Sequence, residues 1–474
     1  MRNPGVVHRL RGSSLSHHLE SVSAARQFEV LNVTSLIEEG ALGRFQIRVY
    51  GLCALVALVD GFDSQLLGPA AASIAHALRV SVAGFGPVFS ASQAGFFAGA
   101  LVLGPAADWL GRRWVLVGAT SVFAVFTLLT ALAHSTTELL LYRFVVGFAL
   151  GGASPCFIGL AAEYLPLRLR TRLVTMLWAA VPLGGMLGAA VSTALIHTAG
   201  WQALFLAGGC ISLGVAVLLG FALPESAGFL VKRGAPGRKI GRLVAKITGS
   251  NVAHNIRFVI NEQKTHGVPL RKLFQSGRAL CTVYLWALCF MAWMALIVVS
   301  FWTPTLIQRV GFSMSAAAAT LLVNNIGAVA GTVLVGSAMQ RYGDFRVLAW
   351  SFLGATLSVG GLGMFTSSLS HVLMSSALSG FFLSASCAGL IAVAAESYPT
   401  SVRSTGIGWA IGVGRIGSIV GPMFAGQLLM LQWSVRNIYL MLGIPCLCAV
   451  GLIVLLRRHT SRTGTSQADE SIAI

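Results

Sequence analysis

LCALVALVDGFDSQLLG, residues 52–68, reads as part of a membrane-spanning helix, yet it carries Asp60 and Asp63. A carboxylate at the centre of a bilayer costs roughly 2.5–3.5 kcal/mol on insertion scales. Residues three apart share one helix face, so the two acids are expected to point together at a water-filled path or a buried cation. The competing reading makes one of them only a structural polar contact.

Outward from this stretch, the chain of 474 residues is 55% hydrophobic and 10% charged, with mean hydropathy +0.79. A soluble protein carries roughly 25% charged residues. Apolar runs of about 20 residues, enough to cross a bilayer, recur at approximately 47–68, 84–104, 114–133, 139–161, 173–197, 201–223, 280–303, 314–337, 345–367, 371–394, 404–430 and 434–456. The expected fold is an all-α membrane protein with twelve transmembrane helices in two six-helix halves. No large soluble catalytic domain fits between them.

The net charge of +18 would suggest nucleic acid on a soluble surface. Here the basic residues sit in alternate loops: Arg112 and Arg113, then Arg168, Arg170 and Arg172, then the stretch 224–279, Arg341 and Arg346, Arg403, and Arg457 with Arg458. That is the positive-inside pattern, and it places both termini in the cytoplasm. It implies contact with anionic lipid and no nucleic-acid partner. The expected divisions are a cytoplasmic tail over 1–45, the first half over 46–223, a basic linker over 224–279 bound to the membrane surface, the second half over 280–456, and a cytoplasmic tail over 457–474. No signal peptide is expected, for no apolar core is followed by a small-residue cleavage site. Ser35-Leu36-Ile37-Glu38 fits a capping box that would start a short interfacial helix. The eight cysteines and ten histidines show no metal-ligand spacing, so no metal or cofactor is expected.

The halves echo each other. Glu163, Pro166 and Arg170 recur as Glu396, Pro399 and Arg403, and Gly147 recurs as Gly380, all about 233 positions on. Gly104, Asp108, Gly111, Arg112 and Arg113 have a looser counterpart in Gly336, Gln340, Arg341 and Gly343. In transporters duplicated this way the substrate site lies between the halves near mid-membrane.

The motif Gly104-Pro-Ala-Ala-Asp108-Trp-Leu-Gly111-Arg112-Arg113 resembles the signature of the major facilitator superfamily, as does Pro224-Glu225-Ser226. Asp60-Gly61-Phe62-Asp63, Trp302-Thr-Pro304-Thr and Gly412-Val-Gly414-Arg415-Ile-Gly417 resemble the aromatic acid:proton symporter family within it. The resemblance covers roughly residues 40–456. It implies uptake of benzoate-like or phenylpropanoate-like anions with protons, the proton gradient as sole driving force, and a bacterial inner-membrane location. Gln340 departs from the signature where an acid is often found, which argues against a second loop charge relay.

Depth orders the deep charges. At 1.5 Å per residue, Asp60 lies roughly 18 Å and Asp63 roughly 22 Å in from Arg48. Arg143 lies roughly 8 Å from the opposite face, level with Asp63, and Arg415 lies roughly 18 Å in from Arg403, level with Asp60. Asp63 is therefore expected to pair with Arg143 and exchange the coupling proton, an arrangement similar to that of proton-coupled sugar transporters of the superfamily. The alternative is a static salt bridge. Arg415 is expected to grip the substrate carboxylate with its planar fork, the alternative being an internal partner such as Asp60. Asp60 is either a second proton site or a gate releasing Arg415.

Trp286 and Trp293 in the seventh span, Trp178 in the fifth and Trp409 in the eleventh are candidates to sandwich a ring, against ordinary packing or lipid contact. Asn324 and Asn325 would bond a ring hydroxyl, or else a neighbouring helix. Asp108, Arg112, Arg113, Glu163, Arg170, Glu225, Glu396 and Arg403 lie at helix ends on the basic side. They are expected to latch the gate at that end. The combined expectation is a monomeric proton-coupled importer of a small aromatic carboxylate, not an enzyme. Its rivals are a carrier of organic cations or drugs, a sugar porter and a non-transporting nutrient sensor. The second half's spans carry no obvious acid for a cation, and the Gln-Gln pair expected of a sugar porter is missing from the seventh span.

Overall fold

A computed structural model describes residues 29–196, 198–248, 256–259, 270–275, 278–398 and 402–472. In hydrocarbon every backbone N–H and C=O must be bonded within its own segment, so apolar runs of this length close into helices. Among the described residues, 12 helical spans are long and apolar enough to cross a membrane. The first half holds α2 (Arg44–Ser64), α3 (Leu67–Ala77), α4 (Gly86–Leu110), α5 (Arg112–Thr130), α6 (Thr136–Tyr164), α7 (Leu167–Leu195) and α8 (Gly200–Ala222), preceded by a short α1 (Val33–Glu39). Together α2 and α3 form the first span, interrupted at Gln65 and Leu66 just past the two acids.

After two short linker helices, α9 (Ala227–Lys232) and α10 (Gly237–Thr248), the second half comprises α11 (Ala279–Arg309), α12 (Met314–Tyr342), α13 (Asp344–Met364), α14 (Leu369–Ser397), α15 (Arg403–Met430) and α16 (Val435–Ile472). Helices run past the apolar runs where a cap extends them. Ser135 Oγ accepts the Glu138 N–H at 3.2 Å and starts α6 three residues before the expected 139. The last helix continues to Ile472, through the stretch expected as a tail.

Glycine sets how closely these helices approach. A methyl on Gly147 of α6 would run into the Ser92 carbonyl oxygen of α4. At the repeat-related place, one on Gly380 of α14 would meet the Asn324 carbonyl oxygen of α12. The duplication seen in sequence is thus a duplicated helix contact. Gly61, between the two acids, lies so close to the Val181 carbonyl of α7 that no side chain fits there.

Two expectations at the membrane surface are corrected. Asn32, not Ser35, caps the short helix: its Oδ1 accepts the N–H groups of Thr34 at 3.0 Å and Ser35 at 3.4 Å, so the helix begins before the proposed box. Strand β1 (Glu29–Asn32) pairs in parallel with β2 (Ile256–Val259) of the linker. The apolar side of α10 is buried on the protein rather than spread on lipid. Ile240, Leu243 and Val244 join Val33, Ile37 and Val49 in the first half's core, while Arg238, Lys239, Arg242 and Lys246 face outward.

Across the seam between the halves, hydrogen bonds and close glycine contacts gather between mid-depth and one end. Thr305 Oγ1 donates to Gly68 O at 3.2 Å and Ser90 Oγ to Ile419 O at 2.7 Å. This end is opposite the basic loops.

Candidate functional site

The mid-depth layer is built first around Asp63. Arg143 Nη2 donates to Asp63 Oδ2 at 2.8 Å and Nη1 to Oδ1 at 3.4 Å, and Thr127 Oγ1 donates to Oδ1 at 3.0 Å. The two charged side chains are only 2% and 1% exposed. The Phe205 ring centroid lies 5.5 Å from the guanidinium carbon of Arg143. The pair joins the first and fourth spans through fork geometry, the arrangement in which an ion pair survives desolvation.

One turn back on α2, Asp60 is buried and accepts a bond from Ser64 Oγ at 3.3 Å. Arg415 of α15 lies close enough across the seam for the two charges to act on one another. No ion pair joins them: Arg415 instead stands over the Phe96 ring of α4, 4.1 Å from its centroid. An aromatic face attracts a cation but leaves its N–H donors unmatched. Arg415 thus presents donors at the seam without a carboxylate bound to them.

Beside the Asp63–Arg143 pair lies a cavity of about 20 Å³, lined by Asp63, Ser64, Gln93, Phe96 and Arg143 from the first half and Phe301 from the second. It has room for about one water molecule. Of the lining residues, Phe96, Ser64, Ser92 and Gln93 went unnoticed in the sequence, as did Thr127 and Phe205 behind them. A signal existed for two of these. Ser92 and Gln93 stand 232 positions before Asn324 and Asn325, at the same register of the repeated helix.

The other candidates separate. Asn324 Nδ2 donates to Ser376 O at 3.0 Å and Ser379 Oγ at 3.2 Å, a bond between α12 and α14. Asn325 Nδ2 donates to Leu321 O of its own helix at 2.9 Å, and its carboxamide abuts Gly185 of α7. Trp286 and Trp409 stack on each other, centroids 5.8 Å apart, with Phe274 edge-on to Trp286 at 5.5 Å. Trp293 is buried against Gly414, beside Arg415. Trp178 is 40% exposed. The four tryptophans do not converge on one chamber.

At the basic end, Arg112 pairs with Glu163, which Ser226 Oγ also bonds. Glu225 Oε1 accepts the N–H groups of Arg113 at 3.1 Å and Ser226 at 2.9 Å. It thereby caps α5, where a carboxylate complements the helix dipole. Arg113 Nη2 donates to Gly220 O at 2.6 Å. Arg170 pairs with Glu38 of α1 at 3.0 Å rather than with another member of the expected latch. Asp108 is exposed, and Glu396 is exposed beside Asp344. The side chain of Arg403, like Pro399, lies outside the described residues. Among the described residues, the ion pairs these side chains form lie within the first half and its adjoining segments. Glu163 and Glu225 Oε1 take donors from the first half and from the adjoining Ser226, so they bind its helices to one another, while Glu225 Oε2 is buried without a partner among the described residues.

Residues 53–368 and 318–473 match the family described as Major Facilitator Superfamily. The chain belongs to the Major Facilitator Superfamily. It is 36% identical over 436 residues to the gallate transporter of Pseudomonas putida, covering 92% of this chain and 97% of that one. To the 4-hydroxybenzoate transporter PcaK of Pseudomonas putida it is 35% identical over 429 residues, covering 90% and 95%. These relatives match the aromatic acid:proton symporter resemblance carried by Asp60-Gly61-Phe62-Asp63. The crystal structure of a D-xylose-proton symporter superposes with a TM-score of 0.66 at 17% identity, over 86% of this chain and 97% of that one, and shares the fold. This major facilitator is accordingly an integral, multi-pass membrane protein, and its relatives are transporters rather than enzymes.

Proposed function

We propose that this protein imports small aromatic carboxylates together with protons across a bacterial inner membrane, as a monomer surrounded by lipid, with the proton gradient as its only driving force and no cofactor. One observation carries the reading: Arg415 stands at mid-depth between the halves, on the face of Phe96, with no carboxylate bound to it. An arriving aromatic anion supplies what the guanidinium lacks, two acceptor oxygens in the plane of its fork, and a ring to pack beside Phe96. An intramembrane cation otherwise costs several kcal/mol, which is why such residues mark substrate paths. The relatives named above support the same class of cargo.

With the basic loops and both termini in the cytoplasm, the end of the seam where Thr305 bonds Gly68 faces outward. The proton resides on the Asp63–Arg143 pair. Protonation of Asp63 frees Arg143 and loosens α2 from α6, and Asp60 responds when substrate draws Arg415 away. The two halves then rock about the site. Proteoliposomes holding the purified protein test this directly. Under an inward proton gradient, labelled 4-hydroxybenzoate accumulates with the wild type and not with Arg415→Ala, while Arg415→Lys keeps the charge, loses the fork and raises KM. Undiminished transport by Arg415→Ala would remove Arg415 from the site.

A further inference from the structure

Gln93 is a buried polar side chain in the layer that neither the proton pair nor the carboxylate site uses. It is 8% exposed and lines the central cavity. Its Oε1 has no hydrogen-bond partner, and neither has the buried Ser92 Oγ beside it. A buried acceptor left unmatched is costly and calls for an explanation. The cavity admits about one water, which would satisfy both atoms in this conformation. Gln93 stands three residues before Phe96 on α4, roughly 4.5 Å along the axis, on the order of the length of one substituted ring. Phe96 carries Arg415. A substrate held by its carboxylate at Arg415 and lying along Phe96 therefore directs its far edge at Gln93.

We propose that Gln93, assisted by Ser92, is the subsite that reads a phenolic hydroxyl on the substrate ring, so that the carrier selects hydroxylated aromatic acids over unsubstituted ones. This deepens the proposed function and rests on it. The phenol O–H donates to Gln93 Oε1 and replaces the water. A site shaped to bond a hydroxyl discriminates well against analogues lacking it, because its own polar atoms are then stranded. A tenfold preference corresponds to about 1.4 kcal/mol, within the range of one such bond.

The test measures proton-driven uptake in proteoliposomes of the full chain with 4-hydroxybenzoate, benzoate and 4-methoxybenzoate. The wild type is expected to show a KM for 4-hydroxybenzoate about tenfold below that for benzoate. The methyl ether keeps the ring oxygen but cannot donate, and behaves like benzoate. Gln93→Met keeps length and loses the acceptor, so the ratio of the two KM values collapses toward one. Gln93→Asn restores part of it. A wild type that treats the three acids alike overturns the subsite while leaving the proposed function standing, and needs no variant to fold. Parallel rises of both KM values in Gln93→Met also overturn it, assigning Gln93 to packing or to a structural water. A wild type that accumulates none of the acids refutes the proposed function itself, and the subsite with it.

Discussion

Asp63→Asn removes one charge of a pair that is nearly inaccessible to water, its side chains 1% and 2% exposed. Solvent screening is therefore slight, and Arg143 is left as an uncompensated buried cation. Breaking such a pair from one side costs roughly 3–5 kcal/mol, whereas replacing both charges by well-packed neutral groups is often neutral. The Phe205 face, 5.5 Å from Arg143, and the adjoining cavity place the expected loss at the lower end, about 3 kcal/mol. The double variant Asp63→Asn/Arg143→Met should then be more stable than either single one, with a coupling of roughly 3 kcal/mol. The introduced carboxamide retains an acceptor for Thr127, so the hydrogen bond from that hydroxyl survives in both variants that carry it. Denaturant titration in mixed micelles reads the coupling, and proteoliposomes read two activities. Asp63→Asn should abolish proton-driven accumulation yet keep counterflow exchange. A stable double variant that still does not accumulate substrate assigns the proton to this pair. If accumulation returns once stability returns, the pair is only a brace and the reasoning is refuted.

Gly61→Ala should cost about 1–3 kcal/mol or more by overpacking, because the added methyl meets the Val181 carbonyl of the neighbouring helix; a wild-type Tm and yield would contradict that contact. Two changes at α1 should differ in size. Asn32→Ala loses a helix cap and about 1 kcal/mol, whereas Glu38→Ala breaks a pair whose side chains are 30% and 28% exposed and costs under about 1 kcal/mol, as paired thermal melts would show.

The bundle was legible because a bilayer permits few alternatives, and the acids because a carboxylate in an apolar run is conspicuous. Depth arithmetic brought Asp63 to Arg143, since every helix rises by the same step. The same arithmetic set Asp60 level with Arg415 but could not tell which way each side chain turns about its axis. That rotation puts Arg415 on Phe96 instead. Gln93 escaped notice because a neutral amide carries no charge to flag it, although its repeat mate Asn325 stood out. The short pairing of β1 with β2 joins residues more than two hundred positions apart, and nothing in four apolar and polar residues announces such a partner. Pairing at the basic end was not legible, because helix ends rich in both charges look alike whether they bind within one half or across two.

Strand β2 changes what counts as the moving parts. The linker as far as Val259 is stapled to the first lobe through β1, α9 and α10, whereas Leu273 is already buried in the second lobe's packing and its carbonyl accepts from Thr282 at 3.0 Å. The tether that spans the joint is thus far shorter than the linker's length implies. Most of the described part of that basic stretch rides as ballast on one lobe.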